Sequence, residues 1–154
     1  MRPIVRALTI TISAAAAVGV LFAAGVALAN PGGVPAIPLN AEQETTDVDS
    51  DASGFFSYTI EGDQLCYTLE VRDLTTQPVA AHIHPAPRNV AGGVAVPLLT
   101  PTAQTSTVSA CITASETGVL TPAELAAIAA DPRAFYVNVH TTRYPAGEIR
   151  GQLK

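Results

Sequence analysis

Short runs in which apolar and polar residues alternate occupy much of the chain, and a period of two marks strands with one buried face. In Ile149-Arg150-Gly151-Gln152-Leu153, Ile149 and Leu153 share one face, while Arg150 and Gln152 take the other. Runs of this kind predict strands at about 36–46, 54–61, 64–72, 79–84, 93–99, 106–113, 134–140 and 147–153. Glu61-Gly62-Asp63 supplies a tight turn, and Arg88-Asn89-Val90-Ala91-Gly92-Gly93 a looser one. Many short strands at this spacing predict an all-β fold, an antiparallel Greek-key-like sandwich or barrel.

One segment breaks the pattern. Thr121-Pro122-Ala123-Glu124 combines an N-cap threonine, proline at the first helical position and a glutamate placed to close a capping box. Leu125 to Ala130 are good helix formers, and Asp131-Pro132 ends the run. A short crossover helix over a sheet edge or barrel end is expected here.

The N-terminus follows a third pattern. Arg2 and Arg6 precede an uncharged apolar run from Ala7 to Val26, and Ala27-Leu28-Ala29 has the small-x-small form of a cleavage site. Residues 1–29 therefore read as a secretory signal, with the mature chain starting at Asn30. The alternative is an uncleaved membrane anchor, since about 20 apolar residues can span a bilayer. No cysteine stands near the cleavage point to carry a lipid. Residues 30–35, Asn-Pro-Gly-Gly-Val-Pro, read as a linker, and 36–154 as a single domain. The expected location is secreted or cell-envelope.

Charge narrows the partners. The whole chain carries a net charge of −5, and the signal takes two arginines with it. An acidic mature domain disfavours nucleic acid and anionic membranes, so any membrane association would run through an uncleaved signal segment. Glu42, Glu44, Asp47, Asp49 and Asp51 cluster early in the domain. They read as a solvated strand end and loop, with a weak cation-attracting rim as the alternative.

Cys66 and Cys111 are the only cysteines, and both sit in strand-like segments. An even count in an exported chain predicts a disulfide tying two strands or two sheets, against the alternative of two buried thiols. Neither cysteine is placed as a nucleophile. There is no Gly-x-Ser-x-Gly elbow. No paired carboxylate spacing marks a hydrolase, and the lack of tryptophan argues against carbohydrate stacking. Whether the chain is an enzyme stays open at this point.

The histidines carry the chemistry. In Ala80-Ala81-His82-Ile83-His84-Pro85, alternation puts His82 and His84 on one face with Ile83 behind them. In Phe135-Tyr136-Val137-Asn138-Val139-His140, it puts His140 with Asn138, opposite Val137 and Val139. If the two strands are neighbours, three imidazoles converge on a site suited to copper, with zinc second, leaving a position open for water or a small oxidant. The competing reading has them hydrogen-bonded to backbone or to Asn138, Thr141 and Thr142 without metal. Arg150 falls on the face of His140 if both strands turn their aliphatic sides inward. There it would steer a small anion, or it would pair with Glu148 or another acidic neighbour.

Several of these segments together resemble the CHRD domain, the module first defined in chordin. They are His82-Ile83-His84, the glycine-rich turn into Val94-Ala95-Val96-Pro97-Leu98, the capped helix, Tyr136-Val137-Asn138-Val139-His140-Thr141, and Gly147-Glu148-Ile149-Arg150-Gly151-Gln152-Leu153. The resemblance covers roughly 36–153 and implies a β fold and an exported single-domain protein, with no established enzymatic activity. A fainter resemblance is to copper,zinc superoxide dismutase. His82, His84 and His140 match three copper-ligand positions by type and order, and Arg150 matches the anion-steering arginine. This chain has no fourth histidine and no histidine-rich zinc loop, so that resemblance implies at most a mononuclear copper protein with dismutase-like activity. The leading expectation is an exported binding module for an extracellular protein or matrix partner, through loops such as 85–93 and 141–147, with a three-histidine metal site.

Overall fold

A computed structural model of the protein describes residues 36–154, so the expected signal segment and linker lie outside the described residues. Strands form where alternation is strongest: β1 (Ile37–Asn40), β2 (Ser53–Glu61), β3 (Gln64–Arg72), β4 (Pro78–Pro85), β5 (Val96–Pro97), β6 (Ser106–Thr113), β7 (Phe135–Thr141) and β8 (Ile149–Gln152). The helix α1 (Pro122–Ala130) stands between β6 and β7. Its capping box is closed in both directions, with Glu124 N–H donating to Thr121 Oγ1 at 3.2 Å and Thr121 N–H to Glu124 Oε2 at 2.8 Å. No described helix is long and apolar enough to cross a membrane.

Three expected strands are shorter than the pattern implied, 147–153 contracting only to Ile149–Gln152. The run 36–46 stops at Asn40, because Ala41–Gln43 winds into a 3₁₀ turn in which Glu44 N–H donates to the Ala41 carbonyl. The run 93–99 contracts to Val96–Pro97, where proline has no N–H to continue a ladder. Pairing persists on either side, through Ala95 N–H to Ile83 O and Leu98 N–H to Ala81 O.

All eight strands join one antiparallel sheet in the order β5-β4-β7-β8-β1-β2-β3-β6, curled into a half-barrel. The expected all-β class with one short helix is therefore what the chain adopts. The first and last strands meet at mid-sheet, where Asn40 opposes Arg150. One face carries the apolar core: Ile37, Leu39, Phe56, Leu65, Leu69, Ile83, Val137, Val139 and Ile149 are each at most 1 % exposed. Leu125 and Ile128 of α1 add to it. Full burial of a side chain of this size contributes about 1.5–3 kcal/mol, so this face supplies most of the folding drive.

β7 is buried on both faces along its whole length. Val137 and Val139 enter the core, whereas Tyr136, Asn138 and His140 point into a second layer beneath the loops 86–95 and 141–147. Buried polar groups need partners, and this layer supplies them.

Cys66 and Cys111 form the expected disulfide, directly opposed across β3 and β6. The bridge ties down the edge strand at the end of the sheet remote from β4 and β7. It closes a sequence separation of 45 residues. Replacing both cysteines by alanine should lower unfolding stability in urea by about 2–4 kcal/mol, with native circular dichroism preserved. An unchanged midpoint would mean that the bridge does not restrict the unfolded chain.

Candidate metal centre

β4 and β7 pair antiparallel, with His82 opposite Asn138, His84 opposite Tyr136 and Ala80 opposite His140. The strands are neighbours, as convergence of the histidines requires. One nitrogen from each of His82, His84 and His140 lies within 4.8 Å of the others. His82 Nδ1 and His140 Nε2 are 3.1 Å apart. Four donors about 2.0–2.1 Å from a tetrahedral zinc stand about 3.3 Å from one another, so this cluster is near metal-binding dimensions and needs only side-chain adjustment to reach them.

Backbone carbonyls orient two of the rings. His84 Nδ1 lies 2.8 Å from Gly93 O and 3.1 Å from Gly92 O, and His140 Nδ1 lies 3.0 Å from Pro145 O. A carbonyl only accepts, so both Nδ1 atoms carry hydrogen and both Nε2 atoms are left to face the centre. His82 Nδ1–H then donates to His140 Nε2. Hydrogen-bond partners for the imidazoles thus come from backbone and one another, not from Thr141 or Thr142, and Asn138 Oδ1 lies within reach of His84 Nε2. Burial pushes His140 down to about 4, against the Pro145 hydrogen bond and with help from the neighbouring histidines. Burial also lowers His82, with His84 adding to the effect. Both are neutral at pH 7, the form that binds metal.

Arg150 lies on the histidine side of β8, yet it does not present its charge to solvent. It is 1 % exposed, with Nη1 donating to Val90 O and Nη2 to Pro87 O, each at 2.9 Å. Its guanidinium stacks on Tyr136 at 3.4 Å from the ring centroid, and Tyr136 stacks in turn on His84 at 4.8 Å. Arg150 therefore holds the loop above the site and backs one imidazole. It makes no ion pair with Glu148, which is fully buried and accepts from Ser50 Oγ, Thr75 N–H and Thr75 Oγ1.

Glu44 and Tyr136 are the residues that sequence reasoning missed here. Four of the five early acidic residues, Glu42, Asp47, Asp49 and Asp51, are exposed as expected of a solvated loop, but Glu44 turns inward. Its Oε1 accepts from Asn138 Nδ2 at 3.5 Å, and Asn138 Oδ1 lies 3.0 Å from His84 Nε2. Gly147, at φ +132°, makes the room: a Cβ there would come within 2.7 Å of Asn138 Nδ2 and closer still to Glu44 Oε1. Only the small, flexible residue at 147 hinted at such an approach.

Burial raises Glu44 to about 7, against the Asn138 hydrogen bond and the Arg150 charge. Between its ordinary 4.5 and about 7 the folded state therefore binds more protons here than the unfolded one. The resulting stability is fully present below 4.5 and is lost as pH rises through 7. Glu44→Gln removes that loss, so the stability of the metal-free variant relative to the parent should climb from pH 4.5 to 7 and then level off. Urea unfolding across that range checks this, and a flat difference would contradict it.

With this geometry in hand, comparison with known proteins gives one result. No curated protein and no solved structure matches the chain. The CHRD domain family matches residues 36–153, a span that includes every described strand, α1 and all three histidines. On that coverage the chain belongs to the CHRD domain family.

Proposed function

We propose that this protein is an exported CHRD domain that holds one transition-metal ion on His82, His84 and His140, copper in preference to zinc. The carrying observation is the convergence of three imidazoles within 4.8 Å, two of them anchored through Nδ1 to backbone carbonyls. That is the outer-shell arrangement by which metal-binding histidines are usually oriented. Nitrogen-only donors suit copper and zinc, and copper stands above zinc in intrinsic affinity. Cys66 and Cys111 are joined in the disulfide, so no thiolate competes among the described residues. The bridge also fits an oxidising compartment, in keeping with a signal at residues 1–29.

His84 and His140 are already in the tautomer that ligation needs, and His82 has only to move its hydrogen from Nδ1 to Nε2. Bound copper would supply a Lewis-acidic, redox-capable centre. The Arg150–Tyr136–His84 stack and the loop it holds would restrict water around it. Superoxide turnover is not part of this reading, because the Arg150 guanidinium is buried and taken up by the Val90 and Pro87 carbonyls.

Binding of an extracellular protein or matrix partner has its own support. Val90 and Val94 are about half exposed on a loop pinned by Arg150, Gln152, Tyr136 and His84. A rigid loop with apolar tips loses little entropy on docking.

The deciding measurement is copper and zinc content of the disulfide-intact protein after metal loading and desalting. A His82→Ala/His84→Ala variant with native circular dichroism serves as the comparison. Near-stoichiometric metal in the parent and none in the variant is expected. No retained metal in either, or equal metal in both, overturns the site.

A further inference from the structure

We propose that Asn138 is the fourth protein ligand of this centre, through its side-chain oxygen; the proposal rests on the three-histidine reading above. β4 and β7 each direct a pair of side chains two residues apart to the same place, His82 with His84 and Asn138 with His140. Asn138 stands directly opposite His82 and beside His140, so it occupies the remaining corner of a four-residue block. It is 1 % exposed, so its amide has exchanged water for the partners this face supplies.

The hydrogen bonds around it turn its side-chain oxygen toward the histidines. The Gly92 and Gly93 carbonyls take the hydrogen on His84 Nδ1, so Nε2 is the ring nitrogen left to face Asn138. Glu44 Oε1 takes Asn138 Nδ2, so the amide presents Oδ1 to the ring. Two atoms able to coordinate a metal, His84 Nε2 and Asn138 Oδ1, thus face one another across 3.0 Å. A metal ion would engage both, and 3.0 Å is close to the donor–donor spacing of about 3.3 Å in a tetrahedral site. His82 Nδ1 and His140 Nε2 lie 3.1 Å apart on the same face, joined without metal by a hydrogen bond that the shift of the His82 hydrogen to Nε2 would release. Two converging pairs make a His₃Asn set, with Glu44 and Gly147 positioning the amide.

This assignment predicts a harder, more closed site than three imidazoles alone, one that accepts zinc and cobalt(II) as well as copper. The test uses the full disulfide-intact protein, with zinc affinity measured by chelator competition. The visible spectrum of bound cobalt(II) reports the identity and number of the ligands. Asn138→Leu, similar in size but without the oxygen, should weaken zinc binding by about 10- to 100-fold, the loss typical of disturbed metal-site shells. It should also move the cobalt band. Parent affinity and an unmoved band in a folded Asn138→Leu variant would overturn the fourth ligand and leave the three histidines standing.

Should Asn138→Leu fail to fold, Asn138→Asp decides. A carboxylate oxygen at that position must shift the cobalt band if residue 138 is a ligand, and an unshifted band overturns the proposal. Absence of metal from the parent itself overturns the three-histidine site, and the fourth ligand with it.

Discussion

The pairing register of β4 with β7 is the constraint on which the rest of this structure depends. With Ile83 opposite Val137 and Ala81 opposite Val139, four apolar side chains enter the core together. The intervening positions, His82, His84, Asn138 and His140, are thereby committed to the other face. A slip of one residue would drive imidazoles into the core and valines into the polar layer, at a cost of several kcal/mol from unsatisfied groups alone. The hydrophobic effect thus sets the site geometry indirectly, by making any other register expensive.

The polar layer is stable because its donors and acceptors are matched to loop backbone. Arg150 and Gln152 from β8 take carbonyls at 86, 87 and 90, His84 takes those at 92 and 93, and the Tyr136 hydroxyl accepts from Gly92 N–H. On the far side, Glu148 draws the segments at Ser50 and Thr75 together. Such networks stabilise when complete and destabilise when broken, which ties the order of the loops to the integrity of the sheet. Arg150 is central to this, since one guanidinium serves two loop carbonyls and an aromatic ring.

Much of this architecture was legible from the chain. The β2–β3 hairpin follows from Glu61-Gly62-Asp63, and Gly62 adopts the positive φ that the turn requires. The limits of α1 follow from Thr121, Pro122 and Asp131, because capping is a local matter of neighbouring hydrogen bonds. The disulfide was expected, and so were the facing of His82, His84 and His140 and the side of β8 that bears Arg150. The short 3₁₀ turn at Ala41–Gln43 and the contraction of β5 were not legible, since both depend on how the chain turns to meet strands distant in sequence.

Alternation, capping residues and cysteine parity are local properties, so the sequence by itself determined the all-β class, the helix, the cross-strand bridge and the shared face of each histidine pair. Adjacency is not local. That β4 lies beside β7, that the Glu44 carboxyl comes 94 residues back to meet Asn138, and that Arg150 turns its charge into loop carbonyls rather than toward solvent were decided by tertiary structure. Each depends on burying apolar faces from distant segments together, and the polar side chains then take whichever partners that packing places within reach.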